Sequence, residues 1–81
     1  MYPVHEKVKV IDGTTIYKGK RSWTAVLKVE IEGRQQIALY KWMNRGGVWK
    51  RAQKFVVNPR LWEFIKAEVD KFVEKESQTH M

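Results

Sequence analysis

The 81-residue chain has no cysteine and only two prolines, its two histidines stand at positions 5 and 80, and no aspartate or glutamate occurs between Gly33 and Glu63. Each absence removes a class of chemistry. Without cysteine there is no disulfide, no thiolate metal site and no sulfur nucleophile. Histidines at the two extremes of the chain, with no second His or carboxylate at ligand spacing, make no metal site. The carboxylates fall mostly on the polar face of a C-terminal helical segment, where they form no general acid/base pair. Gly46-Gly47 has no Lys-Ser/Thr behind it and so is no phosphate-binding loop. The expectation is a protein that is not an enzyme, with no catalytic residue and no cofactor. No apolar run approaches the roughly 20 residues that span a bilayer, and MYPVHEKVKV lacks the apolar block of a signal peptide. A soluble, intracellular protein of the cytoplasm, nucleoid or nucleus with no membrane partner is expected.

What the chain does have is positive charge in one place. Sixteen Lys and Arg against nine Asp and Glu give a net charge of +7. Residues 59 to 76 hold four basic and five acidic groups, so the excess lies upstream. Within the acid-free interval stand Arg34, Lys41, Arg45, Lys50, Arg51, Lys54 and Arg60. A solubilising surface intersperses both signs, whereas a one-sign block is the footprint of a polyanionic partner.

The period of the apolar residues changes once. In SWTAVLKVEIEG, Trp23, Ala25, Leu27, Val29 and Ile31 alternate with Thr24, Val26, Lys28, Glu30 and Glu32, which is a half-buried strand. A turn at Glu32-Gly33-Arg34 leads into QQIALYKWM, a loop Asn44-Arg45-Gly46-Gly47 follows, and VWKRAQKFVV returns. Upstream, KVKVIDGTTIY reads as a further hairpin around Asp12-Gly13, with residues 17 to 21 as connector. At Asn58-Pro59 a helix begins, because asparagine caps an orphan N–H and proline at the first helical position loses none. Leu61, Trp62, Ile65, Val69, Phe72 and Val73 then share one broad face. The fold class is α+β: a curved antiparallel four-stranded sheet, with the possible extra N-terminal hairpin, and one C-terminal helix covering one side of it. The whole is one small domain, with a core at about 7–75 and an apolar-poor tail at 76–81. Chains of this size commonly gain stability by associating.

The register of the last hairpin decides where the aromatics point. Pairing Met43 with Val48 across a four-residue loop sets Trp42 opposite Trp49, Tyr40 opposite Arg51, Ala38 opposite Gln53 and Gln36 opposite Phe55. Tyr40, Trp42, Trp49, Arg51 and Gln53 then form an open face, and Ile37, Leu39, Met43, Val48 and Ala52 the helix-covered one, with Lys41, Lys50 and Lys54 near its edges. Rings interleaved with cations suit single-stranded nucleic acid, whose unpaired bases stack on them at about 1–3 kcal/mol each. A core pairing of Trp42 with Trp49 is the competing assignment. Trp62, in the first turn of the helix, and Trp23, among aliphatic neighbours, read as structural.

LYKWMN, RGGVWKRAQKFVV and NPRLW, in that order, resemble the C-terminal domain of the positive cofactor four family, transcriptional coactivators that bind single-stranded DNA. The similarity covers roughly residues 22 to 75. It implies a homodimer joined through the helix, with single strands lying on the sheet, Trp42 as stacking aromatic, and Arg51 and Lys54 on the basic strand. The chain departs from the family's pattern at Ile37, Ala38 and Leu39, at the additional Trp49, and at an N-terminus without a Lys/Ser-rich regulatory region.

The expected function is therefore single-stranded DNA binding without sequence preference. Tyr40, Trp42 and Trp49 are the expected stacking residues. Arg34, Lys41, Arg45, Lys50, Arg51 and Lys54 would meet phosphates, helped by Lys20, Arg21 and Lys28. Leu61, Trp62, Ile65, Val69 and Phe72 are the expected dimer contacts, and transcription or replication machinery is a further possible partner. The alternatives are a small basic chromatin protein that binds RNA or duplex DNA, and a protein-interaction module built on the helix.

Overall fold

The computed structural model describes residues 1–79. Four strands, β1 (Lys9–Lys18), β2 (Ser22–Ile31), β3 (Arg34–Arg45) and β4 (Val48–Val57), form an antiparallel sheet in sequence order, and one helix, α1 (Pro59–Thr79), follows. The α+β class and the four-strand meander agree with the sequence reading. The N-terminal hairpin does not form. KVIDGTTIYK runs as one strand along β2, and bulges at Ile11 and Ile16 absorb its irregularity. The Asp12 carboxylate accepts a hydrogen bond from the next N–H, that of Gly13, at 2.8 Å, without reversing the chain.

β2 alternates as its pattern demands: Trp23, Ala25, Leu27 and Val29 are buried. Opposite them on β3, Ala38, Tyr40 and Trp42 complete the core, with Trp23 paired to Trp42 and Ala25 to Tyr40. The aromatic face is therefore the interior of the domain, contrary to the expectation of an open stacking face. What covers it is the N-terminal segment. Tyr2, Val4 and Val8 pack on the cluster, with Val10, Ile31 and Trp49 at its margins.

The last hairpin also differs from its expected register. Arg45 pairs with Val48, leaving Gly46-Gly47 as a two-residue loop with φ of 63° and 88°. Two consecutive positive φ values define the tight hairpin turn whose twist matches the strands, and glycine adopts them without strain. Trp42 consequently faces Arg51, and Asn44 faces Trp49. Ala52 is the extra residue of a bulge, after which Lys41 pairs with Gln53, Tyr40 with Lys54 and Leu39 with Phe55. The bulge moves Lys54 onto the aromatic side and Gln53 off it.

The helix begins where its cap predicts: the Asn58 side-chain oxygen accepts from Arg60 N–H at 3.0 Å, and the Asn58 carbonyl from Leu61 N–H at 3.0 Å. It extends through Thr79, into the 76–81 segment expected to be a tail, of which residues 80 and 81 lie outside the described residues. It does not cover the sheet. No strand makes an extensive contact with it, and Leu61, Phe64, Val69, Phe72 and Val73 are exposed, while Trp62 and Ile65 are half-buried. The face assigned to the helix, bearing Ile37, Leu39, Met43 and Val48, is left uncovered with Phe55. A stripe expected to cover the sheet and to make dimer contacts thus lies largely bare on the single chain.

Candidate nucleic-acid interface

The two turns that join β1 to β2 and β3 to β4 lie at the same end of the sheet, and Asn44 ties them together. Its backbone N–H donates to the Arg21 carbonyl at 2.8 Å and its side-chain amide to the Lys20 carbonyl at 3.2 Å, while its side-chain oxygen accepts from Gly47 N–H at 2.8 Å. One asparagine therefore holds Lys20, Arg21 and Arg45 in adjoining loops. Lys18 ends β1 at this end, and Lys50 and Arg51 follow from Val48 on β4. None of the strand and turn residues here is acidic: the nearest acids along the strands, Asp12 on β1 and Glu30 on β2, pair far down the sheet. The opposite end carries Glu30 and Glu32 beside Lys9 and Arg34, and the helix that starts there holds five acids against four bases, so the two signs are nearly balanced there. The charge excess is thus polarised along the strand direction.

The aromatic cluster sits at the basic end. Trp23 and Trp42 contact with ring centroids 5.0 Å apart and a 50° tilt, Trp49 meets Trp23 edge-on at 5.7 Å, and Tyr40 stacks on Trp42 at 5.4 Å and 15°. Lys18 places its ammonium 3.9 Å from the Trp23 centroid and 5.9 Å from that of Trp49. Lys54 lies 5.5 Å over Tyr40. These are cation–π distances, and they hold two ammonium groups against the rings. Trp23 Nε1–H donates to Thr15 Oγ1 at 3.0 Å, whereas Trp42 Nε1 is buried with no hydrogen-bond partner.

Against the sequence expectations, the stacking residues divide. Trp42 is 0% and Tyr40 3% exposed, so neither presents a free ring while residues 1 to 8 are in place. Burial wins because both rings lie on the face that Tyr2, Val4 and Val8 cover. Trp49 is half-buried and keeps its outer edge in solvent. Among the cations, Lys20, Arg21, Arg45, Lys50 and Arg51 gather at the basic end, and Lys54 borders the aromatic face one pair beyond the bulge. Lys41 lies on the uncovered face beside Thr24 and Gln53. Lys28 and Arg34 are not brought to this site: Lys28 pairs with Asp12 and Ile37, and Arg34 stands at the far turn beside Glu32.

Three participants escaped the sequence reading. Lys18 was assigned to a connector, although its place one turn before Trp23 was the available signal. Tyr17, 59% exposed, borders the basic end on the uncovered face opposite Thr24. Tyr2 belongs to a segment of eight residues, interrupted by Pro3 and by His5-Glu6-Lys7, that is too short to announce its face. That uncovered face also has a shallow cleft of about 420 Å³ between Leu39, Lys41, Gln53 and Phe55. Among the described residues no cluster of His, Asp or Glu could hold a metal ion, and no helix is long and apolar enough to cross a membrane.

Comparison with family models, with curated proteins and with solved structures gives no match to this chain.

Proposed function

We propose that the protein binds single-stranded DNA without strong sequence preference, at the basic end of its sheet, and acts as a homodimer in the manner of a transcriptional coactivator. The observation that carries this reading is the coincidence of two sets that need not coincide. Lys18, Lys20, Arg21, Arg45, Lys50 and Arg51 stand at the same end of the sheet as Trp23, Trp42 and Trp49, where no strand or turn residue is acidic. Cations follow the phosphates, and rings take bases that have no partner of their own. A duplex, whose bases are already stacked, would use only the first half of that arrangement.

The homodimer reading rests on the helix. Phe64, Val69 and Phe72 expose more than half their surface, and Ile37 and Phe55 on the uncovered sheet face expose 42% and 48%. A second copy has both an apolar stripe and an apolar sheet face to offer. The helix leaves from the end of the sheet opposite the basic one, so association there keeps the basic end free. The resemblance to the positive cofactor four family points the same way.

Fluorescence anisotropy of a labelled oligonucleotide, as a single strand and as a duplex at two salt concentrations, tests the reading. Tight single-strand binding that weakens with salt and clearly exceeds duplex binding is the expected outcome. Equal affinity for the two forms removes the stacking component, and no binding at low salt removes the function.

A further inference from the structure

We infer that residues 1–8 are a displaceable strap occupying the base-stacking site, and that a single strand and the strap compete for the same rings. The inference rests on the nucleic-acid reading of the basic end and adds to it where the first base goes and what must leave. Tyr2 lies over the cluster like an inserted base: its ring is 6.1 Å from Trp42 at an interplanar angle of 23°, and 5.4 Å from Trp23 at 31°. Trp42 is thereby flanked by Tyr2 and Tyr40, both near parallel to it. The sheet makes room for this ring. A Cβ on Gly13 would stand 2.7 Å from Tyr2 Cε2 and 2.7 Å from Leu27 Cδ2, so a side chain at this point of β1 would push the Tyr2 ring or the Leu27 methyl from its place.

The strap is held by its side chains and not by the sheet's hydrogen bonds. Its backbone bonds among the described residues are its own, Val4 N–H to the Tyr2 carbonyl and Val8 N–H to the His5 carbonyl, both at 2.9 Å. Lys7 N–H likewise donates to His5 Nδ1 at 3.1 Å. The one polar tie from Tyr2 to the sheet is a long 3.5 Å contact with the Thr15 hydroxyl. Tyr2, Val4 and Val8 are only half-buried, and their burial must offset the entropy of ordering eight residues. A segment so attached belongs to the low-stability end of a fold.

Two features favour a nucleic-acid strand as the replacement. Beneath the strap, Val4 and His5 share a cleft of about 480 Å³ with Tyr40, Arg51 and Lys54, so an aromatic ring and two cations already face the space from which the strap would lift. The closed state also leaves Trp42 Nε1–H without an acceptor, and phosphate and base oxygens are acceptors. Residues 1–8 bring little competing charge, with Glu6 against Lys7.

The test uses the full chain and the variant Tyr2→Ala/Val4→Ser, with a short thymidine oligonucleotide as probe. Acrylamide quenching of tryptophan emission should rise in the variant without ligand. Its affinity for the single strand should increase about tenfold, because apparent affinity scales with the fraction of open molecules. Should the variant lose its cooperative melt, methyl NMR of the unaltered chain replaces it: at saturating oligonucleotide the Val4 and Val8 signals should move to unstructured positions. Unchanged or weaker binding by a folded variant overturns the strap alone, as do strap methyls that keep their folded positions in the complex. Failure of both chains to bind the oligonucleotide overturns the function as well.

Discussion

The sheet and the helix are both amphipathic in sequence, yet only the aromatic face of the sheet is buried by the chain itself. On β2 and β3, seven residues from Trp23 to Trp42 reach 6% exposure or less. On α1, five large apolar side chains are more than half exposed. The difference is one of reach. β2 finds β1 and β3 through short turns, and the aromatic face finds residues 1 to 8. The helix instead leaves β4 at the sheet's far end and extends away, and the molecule measures 45 × 35 × 16 Å. An apolar stripe on a helix therefore states that something will cover it, not what.

The sharpest way to break this contrast is to damage each region in turn. Trp42→Ala removes a fully buried ring, and truncations of that kind cost about 3–5 kcal/mol. Against a stability of roughly 5–15 kcal/mol for a whole domain, the variant should lose its cooperative thermal transition. Trp62→Ala combined with Val69→Asp should leave the near-ultraviolet signature of the sheet aromatics in place and halve the mass in sedimentation. A conserved mass would show that the stripe serves some purpose other than self-association. Both variants report on burial, but only the first should report on folding.

Smaller changes sharpen the account. Arg51→Gln and Lys50→Gln, on opposite faces at the basic end, should each lower the salt slope of single-strand binding by about 0.7, the value for one phosphate contact. Arg34→Gln, at the far turn, should leave the slope alone. Asn58→Ala should cost about 1 kcal/mol through the lost cap, read as a lower melting temperature and frayed helix signal. Smallest of all is Lys66→Ala, which breaks an exposed 3.6 Å pair with Asp70 and should change stability by about 0.5 kcal/mol or less.

How much of this was legible beforehand follows from which forces were local. The alternation from Trp23 to Val29 and the Asn58-Pro59 helix start are properties of neighbouring residues, and both appear where their patterns put them. The last hairpin was not legible, since Asn-Arg-Gly-Gly accommodates either a four-residue or a two-residue loop, and the bulge at Ala52 has no sequence mark. The shorter loop slid the pairing by two residues without changing faces, and the bulge then moved Gln53 and Lys54 to opposite sides from those expected. Which face is open depended on a third party, residues 1–8, where Pro3 and the polar run His5-Glu6-Lys7 interrupt the apolar Tyr2, Val4 and Val8. The basic block was legible as a total. Its gathering around Trp23 and Trp49 needed the Asn44 link between two turns more than twenty residues apart.

The central claim is that the sheet's basic, aromatic end meets nucleic acid while the helix does not. The four tryptophan indole N–H signals in a nitrogen-15 correlation spectrum, assigned and followed as a single-stranded oligonucleotide is added, test it most directly. The account predicts that the signals of Trp23, Trp42 and Trp49 move and that of Trp62 stays. Movement of Trp62 with the three sheet indoles unmoved would contradict it.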